Sequence, residues 1–184
     1  MKLAILGIDP GFSSVGYVCK LLTGELVRAG VFRTKKSDKK QRVMAVDDNF
    51  RRAREIAEFF RDLQYGLKHE GTLLVAICAE AMSFPRHASV AAKVALTWGV
   101  LADFTVNTDL PLVQATPQDI KKTVCGDRSA SKEAVAEAVK VTHPEIAGFL
   151  KDIPGGEHEH VYDALAAVLA CAGSDVVRAL RRTA

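Results

Sequence analysis

Two stretches constrain what this chain can fold into. LAILGID runs from Leu3 to Ile8 through five apolar residues and a glycine, then stops in Asp9, Pro10 and Gly11. LLVAICAE runs apolar from Leu73 to Ala79 and stops in Glu80. Runs of this kind are buried strands, and each delivers a carboxylate where the strand leaves the core and meets solvent at the rim of the sheet. If the two strands are parallel neighbours, the two acids are neighbours as well. Two like charges held close at neutral pH raise each other's pKa unless a cation intervenes. Such a pair is either a proton-sharing dyad or a metal site, and a small set of hard oxygen ligands favours Mg²⁺ or Mn²⁺.

The elements around these strands are legible in order. Val15 to Leu22 and Glu25 to Phe32 read as strands joined by a tight turn at Thr23-Gly24, which makes an antiparallel meander with the first strand. In VDDNFRRAREIAEFFRDLQYGLK, Phe50, Ile56, Phe59, Phe60 and Leu63 recur near helical spacing, so a long amphipathic helix covers the sheet. ASVAAKVALTWGVLADF is apolar nearly all round, so its helix is either fully internal or covered on one side by a partner subunit. Leu110 to Gln114 is a further strand. Thr116-Pro117-Gln118-Asp119 starts a helix with an N-cap, a proline and a first-turn acid. Another helix runs from near Ser131 to before Pro144, and HEHVYDALAAVLACA forms the last. Strands interleaved with helices in this way predict an α/β fold, a mixed sheet with helices on both faces.

At 184 residues the chain fits one domain, spanning 1–184, able to bury roughly 70% of its unfolded surface. With 48% hydrophobic and 26% charged residues it is neither disordered nor fibrous. The four cysteines, Cys19, Cys78, Cys125 and Cys171, have no Cys-x-x-Cys spacing, which argues against a zinc knuckle or disulfide framework and for a reducing, cytoplasmic setting. The six-residue apolar run near the N-terminus is too short for a signal peptide or a membrane span. The net charge is only +3, but Arg33, Lys35, Lys36, Lys39, Lys40 and Arg42 crowd one segment against Asp38 alone. Smaller groups lie at Lys121 with Lys122 and at Arg128 with Lys132. Such clusters suit a phosphate backbone, and they equally suit solvated loops and helix faces.

His160 and Asp163 are three apart on the last helix and share a face, while Val161, Leu165, Val168 and Leu169 can face the core. Asp163 borders the apolar run Ala164 to Ala170, an expensive place for an unpaired charge. Taken singly, these residues have ordinary explanations: an Asp-Pro-Gly turn, a surface glutamate, a histidine on a helix end, an acid complementing a helix dipole. Two strand-end acids followed by a helical His-x-x-Asp, in this order, are a more specific constellation.

With those residues in place, the sequence resembles the RuvC-type Holliday junction resolvases of the RNase H-like superfamily. GIDPG followed by SVGYV is similar to that family's opening. VAICAE resembles its second acid-ended strand, ATPQDIKKTVCGDRSASKEAV its lysine-bearing segment facing DNA, and HVYDALAAVLA its closing helix. The resemblance runs from about Ala4 to Ala170. It implies an RNase H-like five-stranded sheet and a structure-selective endonuclease resolving four-way junctions in DNA recombination and repair. Asp9, Glu80, Asp163 and His160 would be the catalytic residues and metal ligands, with His160 either a ligand or a proton-transfer group. The implied cofactor is two Mg²⁺ ions per site, with Mn²⁺ as substitute. Lys121 and Lys132 match the family's lysines near the scissile phosphate and backbone, and Lys122 and Arg128 join them as DNA-binding candidates. Phe84 lies close to, but displaced from, the position of the family's base-probing aromatic. The implied partners are branched DNA and a second copy of the chain, with Val94, Trp98 and Leu101 as interface anchors. No membrane is involved, and nothing in the sequence identifies a branch-migration helicase. The basic segment at 33–42 is richer than the family pattern, and with the displaced aromatic it points to a phage or plasmid version. The competing readings are a related nuclease acting on RNA or branched phage DNA, and a non-catalytic junction-binding protein. Actin-like kinases open similarly but need two related halves, for which the chain is too short.

Overall fold

The computed structural model describes residues 1–82 and 87–183. Five strands, β1 (Lys2–Pro10), β2 (Ser14–Leu21), β3 (Leu26–Arg33), β4 (Thr72–Glu80) and β5 (Leu112–Ala115), form one sheet in the order β3-β2-β1-β4-β5. β1, β2 and β3 are the expected antiparallel meander, whereas β4 and β5 extend the sheet in parallel from β1. The helices are α1 (Ala45–His69), α2 (Ala88–Thr108), α3 (Pro117–Cys125), α4 (Lys132–Thr142), α5 (His158–Cys171) and α6 (Asp175–Thr183). Alternate residues of β1 divide between two cores. Ala4, Leu6 and Ile8 pack under α1 and α2 with Ile56, Phe60 and Leu101, while Ile5 joins Ala76, Cys78, Val161 and Leu165 under α3 to α5. Each such fully buried aliphatic side chain contributes about 1.5–3 kcal/mol over its exposed state, and together they fix the sheet between its two helical layers.

One irregularity decides where the acids point. In the parallel β1–β4 ladder Ala4 pairs with Leu74, but Ile5 pairs with Ala76, so Val75 is an extra residue on β4. Side chains alternate along a regular strand, and a bulge sets two residues against one, so the residues of β4 beyond it take the faces opposite to those that an unbroken alternation from Leu74 would give them. Beyond the bulge Ala76 and Cys78 lie on the α5 side with Ile5, and the same alternation puts Glu80 on that side with Asp9. Were Val75 paired in regular register with Ile5 instead of bulged out, Glu80 would face the α1–α2 layer.

Two glycines let α5 lie directly on the sheet. A Cβ at Gly7 would overlap the Ala164 carbonyl and the Val168 side chain. A Cβ at Gly16 would overlap the His160 carbonyl, and it would also meet the His160 Cβ at 2.8 Å. Gly16 is the partner of Asp9 across the β1–β2 ladder, so this contact seats His160 beside the first acid.

Several expectations are corrected. The chain has a further helix, α6, whose Val177 and Leu180 pack against the α5 core. Phe50 is 71% exposed, because Asp48 and Arg52 occupy the inward positions of the first turns of α1. Leu101 is fully buried within its own chain and so is unavailable as an interface anchor. Nor is α2 internal: it packs on α1 through Leu101 and Phe104, whose ring stacks on Phe60 at 5.3 Å, while Val90, Leu96 and Val106 are exposed. By length and composition α2 is apolar enough to cross a membrane, yet only 17% of its most apolar window is buried.

Candidate active site

β1 and β4 deliver Asp9 and Glu80 to the same edge of the sheet. Ile8 pairs with Ala79, and the next residue along each strand is an acid. α5 crosses above this edge. From its first turn His160 Nδ1 donates to Asp9 Oδ2 at 2.7 Å; a carboxylate only accepts, so the proton is on Nδ1. One turn later Asp163 Oδ2 accepts from Lys132 Nζ at 3.2 Å. Ser131 caps α4 by accepting the Ala134 N–H, which sets Lys132 at that helix's start.

The electrostatics show how tightly the acids are grouped. Burial and the charges of Asp163 and Asp9 hold the Glu80 pKa above the ordinary carboxylate value, against the opposing pull of Lys132 and Lys121. Asp163 is raised by burial despite Lys132, and Asp9 adds to the rise. Asp163 in turn raises Lys132, and the hydrogen bond to Asp9 raises His160 above its usual value against burial. Three carboxylates within electrostatic reach of one another, partly withdrawn from water, make an environment in which a cation is strongly favoured.

The residues fit a divalent metal in charge and in donor type: carboxylate oxygens with one imidazole, the set that suits Mg²⁺ or Mn²⁺. Among the described residues no three such side chains are already gathered into a closed cage. Asp9 is turned to His160 and Asp163 to Lys132, so a metal would enter as those two partners give way.

Neighbours not assigned to the site from the sequence complete it. A cavity of about 180 Å³ beside the acids is lined by Asp9, Gly11, Glu80, Met82, Val94 and Trp98, which places two of the expected interface anchors against the acidic pair. Arg52, only 1% exposed, lies beneath the turn that follows Asp9. Its Nε donates to Thr34 Oγ1 at 2.9 Å and its Nη2 to Ser13 Oγ at 2.9 Å; Thr34 Oγ1 donates on to the Phe12 carbonyl at 2.7 Å. The guanidinium sits 4.4 Å from the Phe12 ring centroid. Its signal in the sequence was an arginine four residues before Ile56 and eight before Phe60, in line with the buried stripe of α1.

The DNA-binding candidates are placed unevenly. Lys132 touches Asp163, and Lys121 is near enough to act on Glu80. Lys122 is exposed on α3, and Arg128 pairs with Asp119 at 3.6 Å; no described contact ties either to the acids. Phe84 lies outside the described residues.

The model of the crossover junction endodeoxyribonuclease RuvC family matches residues 5–171, a span containing all four site residues. The chain belongs to the RuvC family. Among RuvC relatives, the crossover junction endodeoxyribonuclease of Moorella thermoacetica is 30% identical over 138 residues, 75% of this chain and 76% of that protein. The RuvC of Treponema denticola is 28% identical over 173 residues, 92% of this chain and 85% of that one. The solved Thermus thermophilus RuvC has the same fold, with TM-score 0.63 at 23% identity over 91% of this chain and 92% of that one. A second Thermus thermophilus RuvC structure, in complex with a Holliday junction substrate, gives 0.65 at 22% identity over 91% of each chain. The mixed sheet with helices on both faces is thus the RNase H-like fold of RuvC.

Proposed function

We propose that the protein is a structure-selective endonuclease that resolves four-way DNA junctions by metal-dependent phosphodiester hydrolysis, acting in the cytoplasm during recombination and repair. The observation that carries this reading is the grouping of Asp9, Glu80 and Asp163 on one rim, each held by a buried element, with His160 on Asp9 and Lys132 on Asp163. Family membership supports the same conclusion.

Asp9, Glu80 and Asp163, with His160 beside them, would hold two Mg²⁺ ions, or Mn²⁺ in their place. Two such ions stabilise the charge that builds on the attacking and leaving oxygens of an in-line displacement. The chain's own residues do the rest. β1 fixes Asp9 rigidly, since a misplacement of about 1 Å costs on the order of 10²-fold in rate. His160, freed from Asp9 when a metal enters, can take up the proton lost by the attacking water. Lys132, once Asp163 is engaged elsewhere, can turn to a phosphate oxygen; Lys121, Lys122 and Arg128 extend this positive fringe along the backbone.

A four-way junction is two-fold symmetric and needs two matched cuts, which a homodimer supplies by symmetry. The face of α2 carrying the exposed Val90, with Val94 and Trp98 one and two turns on, is the proposed contact. Sedimentation tests it: a monomer at micromolar concentration removes the dimer.

Cleavage of a synthetic mobile junction in Mg²⁺, Mn²⁺ or chelator, resolved on a denaturing gel, tests the function. Paired nicks that need metal are expected. Absence of junction cleavage in both metals, or preferential cutting of RNA, would refute it.

A further inference from the structure

Five cations between β3 and α1 take no part in the site described above. Lys35, Lys36, Lys39, Lys40 and Arg42 are all exposed, and among the described residues the ion pairs are formed by other side chains. Segment 33–42 holds six cations against one acid, a charge of +5, while the whole chain is +3. Everything outside these ten residues therefore sums to −2. The basic character of the protein resides in this one segment.

Like charges at this density repel, and a segment left to itself spreads out and stays mobile. This one is held in place instead. Asp48, only 8% exposed, accepts the Ser37 N–H at 3.0 Å and the Ser37 hydroxyl at 2.6 Å. Arg51 Nη2 donates both to Asp48 at 2.7 Å and to the Lys35 carbonyl at 2.6 Å. Asp38 and Gln41 form a reciprocal capping box around the single turn Lys39–Gln41, which Arg42 closes in the left-handed region at φ 51°. The acids present are used on backbone and framework, and the five cations are left pointing outward.

The segment also starts at the catalytic edge. β3 runs parallel to β1, with Arg33 opposite Ser14, so it leaves the sheet at the edge that carries Asp9 and Glu80. Arg33 forms an ion pair with Glu157, which immediately precedes the helix bearing His160. Thr34 bonds to the carbonyls of Phe12 and Ser13 in the turn after Asp9.

We propose that residues 35–42 form a preformed ridge that binds the phosphate backbone of a duplex arm flanking the cut, separate from the Lys121 and Lys132 contacts. The proposal rests on the reading of the protein as a DNA nuclease. Duplex DNA carries one negative charge per about 1.7 Å of axis, so an ordered row of five cations meets several phosphates at once, holding the arm without reading its sequence. The ordering matters because the cost of collecting the charges is met in folding rather than on binding.

The test uses the full chain with Lys35→Gln, Lys36→Gln, Lys39→Gln and Lys40→Gln combined. All four positions are exposed, and folding is checked by circular dichroism. Binding to a four-way junction and to plain duplex DNA is measured in chelator across a salt series. Each phosphate that the variant leaves unneutralised should lower the slope of log K against log salt by about 0.9, so a fall of roughly two or more is expected on both DNAs. The cleavage rate at saturating protein should be unchanged. Asp48→Asn, which makes the chain more positive but unclasps the segment, should weaken binding rather than strengthen it. Equal slopes for parent and variant, a change seen on duplex RNA alone, or tighter binding by Asp48→Asn would overturn the ridge. Failure of the parent to cut any junction would instead refute the proposed function, leaving the slopes on duplex DNA to judge the ridge.

Discussion

His160 and Asp9, 151 positions apart in the chain, share a hydrogen bond of 2.7 Å from Nδ1 to Oδ2. The bond raises the His160 pKa. A group whose folded pKa lies above its unfolded value stabilises the fold below the unfolded pKa and loses that contribution as pH rises through the folded one. In chelator, His160→Ala should therefore lower the melting temperature by a few degrees near pH 5.5, consistent with roughly 1–2 kcal/mol for a charged hydrogen bond. Near pH 9 it should do much less. Melts across pH decide it, and a pH-independent loss would contradict the pairing.

Glu80 and Asp163 are also raised, so all three groups favour the metal-free fold at low pH and penalise it as they lose protons. Metal binding needs the deprotonated ligands. Mg²⁺ should thus stabilise the protein strongly at pH 8, by about 2.7 kcal/mol at 100 times its Kd, and far less at pH 5.5. Thermal shift with and without Mg²⁺ at the two pH values measures this.

Asp9→Asn keeps the shape of the side chain and removes its charge. Junction binding should stay near the parent value, because phosphate contacts by lysine and arginine dominate affinity. Cleavage should fall at least 10²-fold. Gel-shift and cleavage assays on one preparation separate the two, and retained cleavage would remove Asp9 from its assigned role.

Gly16→Ala sets a methyl group against the backbone of His160, where neither strand nor helix can yield. The expected cost is that of overpacking, about 1–3 kcal/mol, together with reduced cleavage from a displaced α5. Gly66→Ala is the control. Its new Cβ would meet only the tip of Arg28 at 3.4 Å, and an alanine inside a helix should gain roughly 0.5–1 kcal/mol. Chemical denaturation of both variants reads out the difference.

Arg52→Met should leave the Ser13 and Thr34 hydroxyls short of a donor and loosen the turn after Asp9. A fall in cleavage rate with little change in junction affinity is expected. Arg52→Lys should restore only part of it, since an ammonium lacks the planar fork that reaches both oxygens. Equal kinetics in all three proteins would show the clasp to be irrelevant to the site.

The acids were legible because their strands are apolar to the last residue, leaving Asp9 and Glu80 as conspicuous ends. His160 and Asp163 were legible because a three-residue spacing shares a helix face wherever the helix lies. The buried face of α2 was not: a helix apolar all round offers no contrast from which to choose Leu101 over Leu96. Phe50 misled for a related reason. Its hydrophobicity suggested burial, but the inward line at that end of α1 is held by Asp48 and Arg52, whose partners Ser37, Thr34 and Ser13 come from distant loops. The register of β4 is likewise a property of its pairing with β1 and cannot be read from either strand alone.

The bulge in β4 gives the acidic rim a parity. Deleting Val75 would leave Ala4 opposite Leu74 and Ile5 opposite Ala76, so Glu80 would still end beside Asp9. One residue added in the regular stretch between Ala76 and Glu80 would keep a full apolar count yet aim Glu80 into the α1–α2 layer, away from Asp9. Changes of length in that strand should therefore be tolerated singly only at the bulge and elsewhere in pairs, a rule that governs how such a nuclease can drift in length without falling silent.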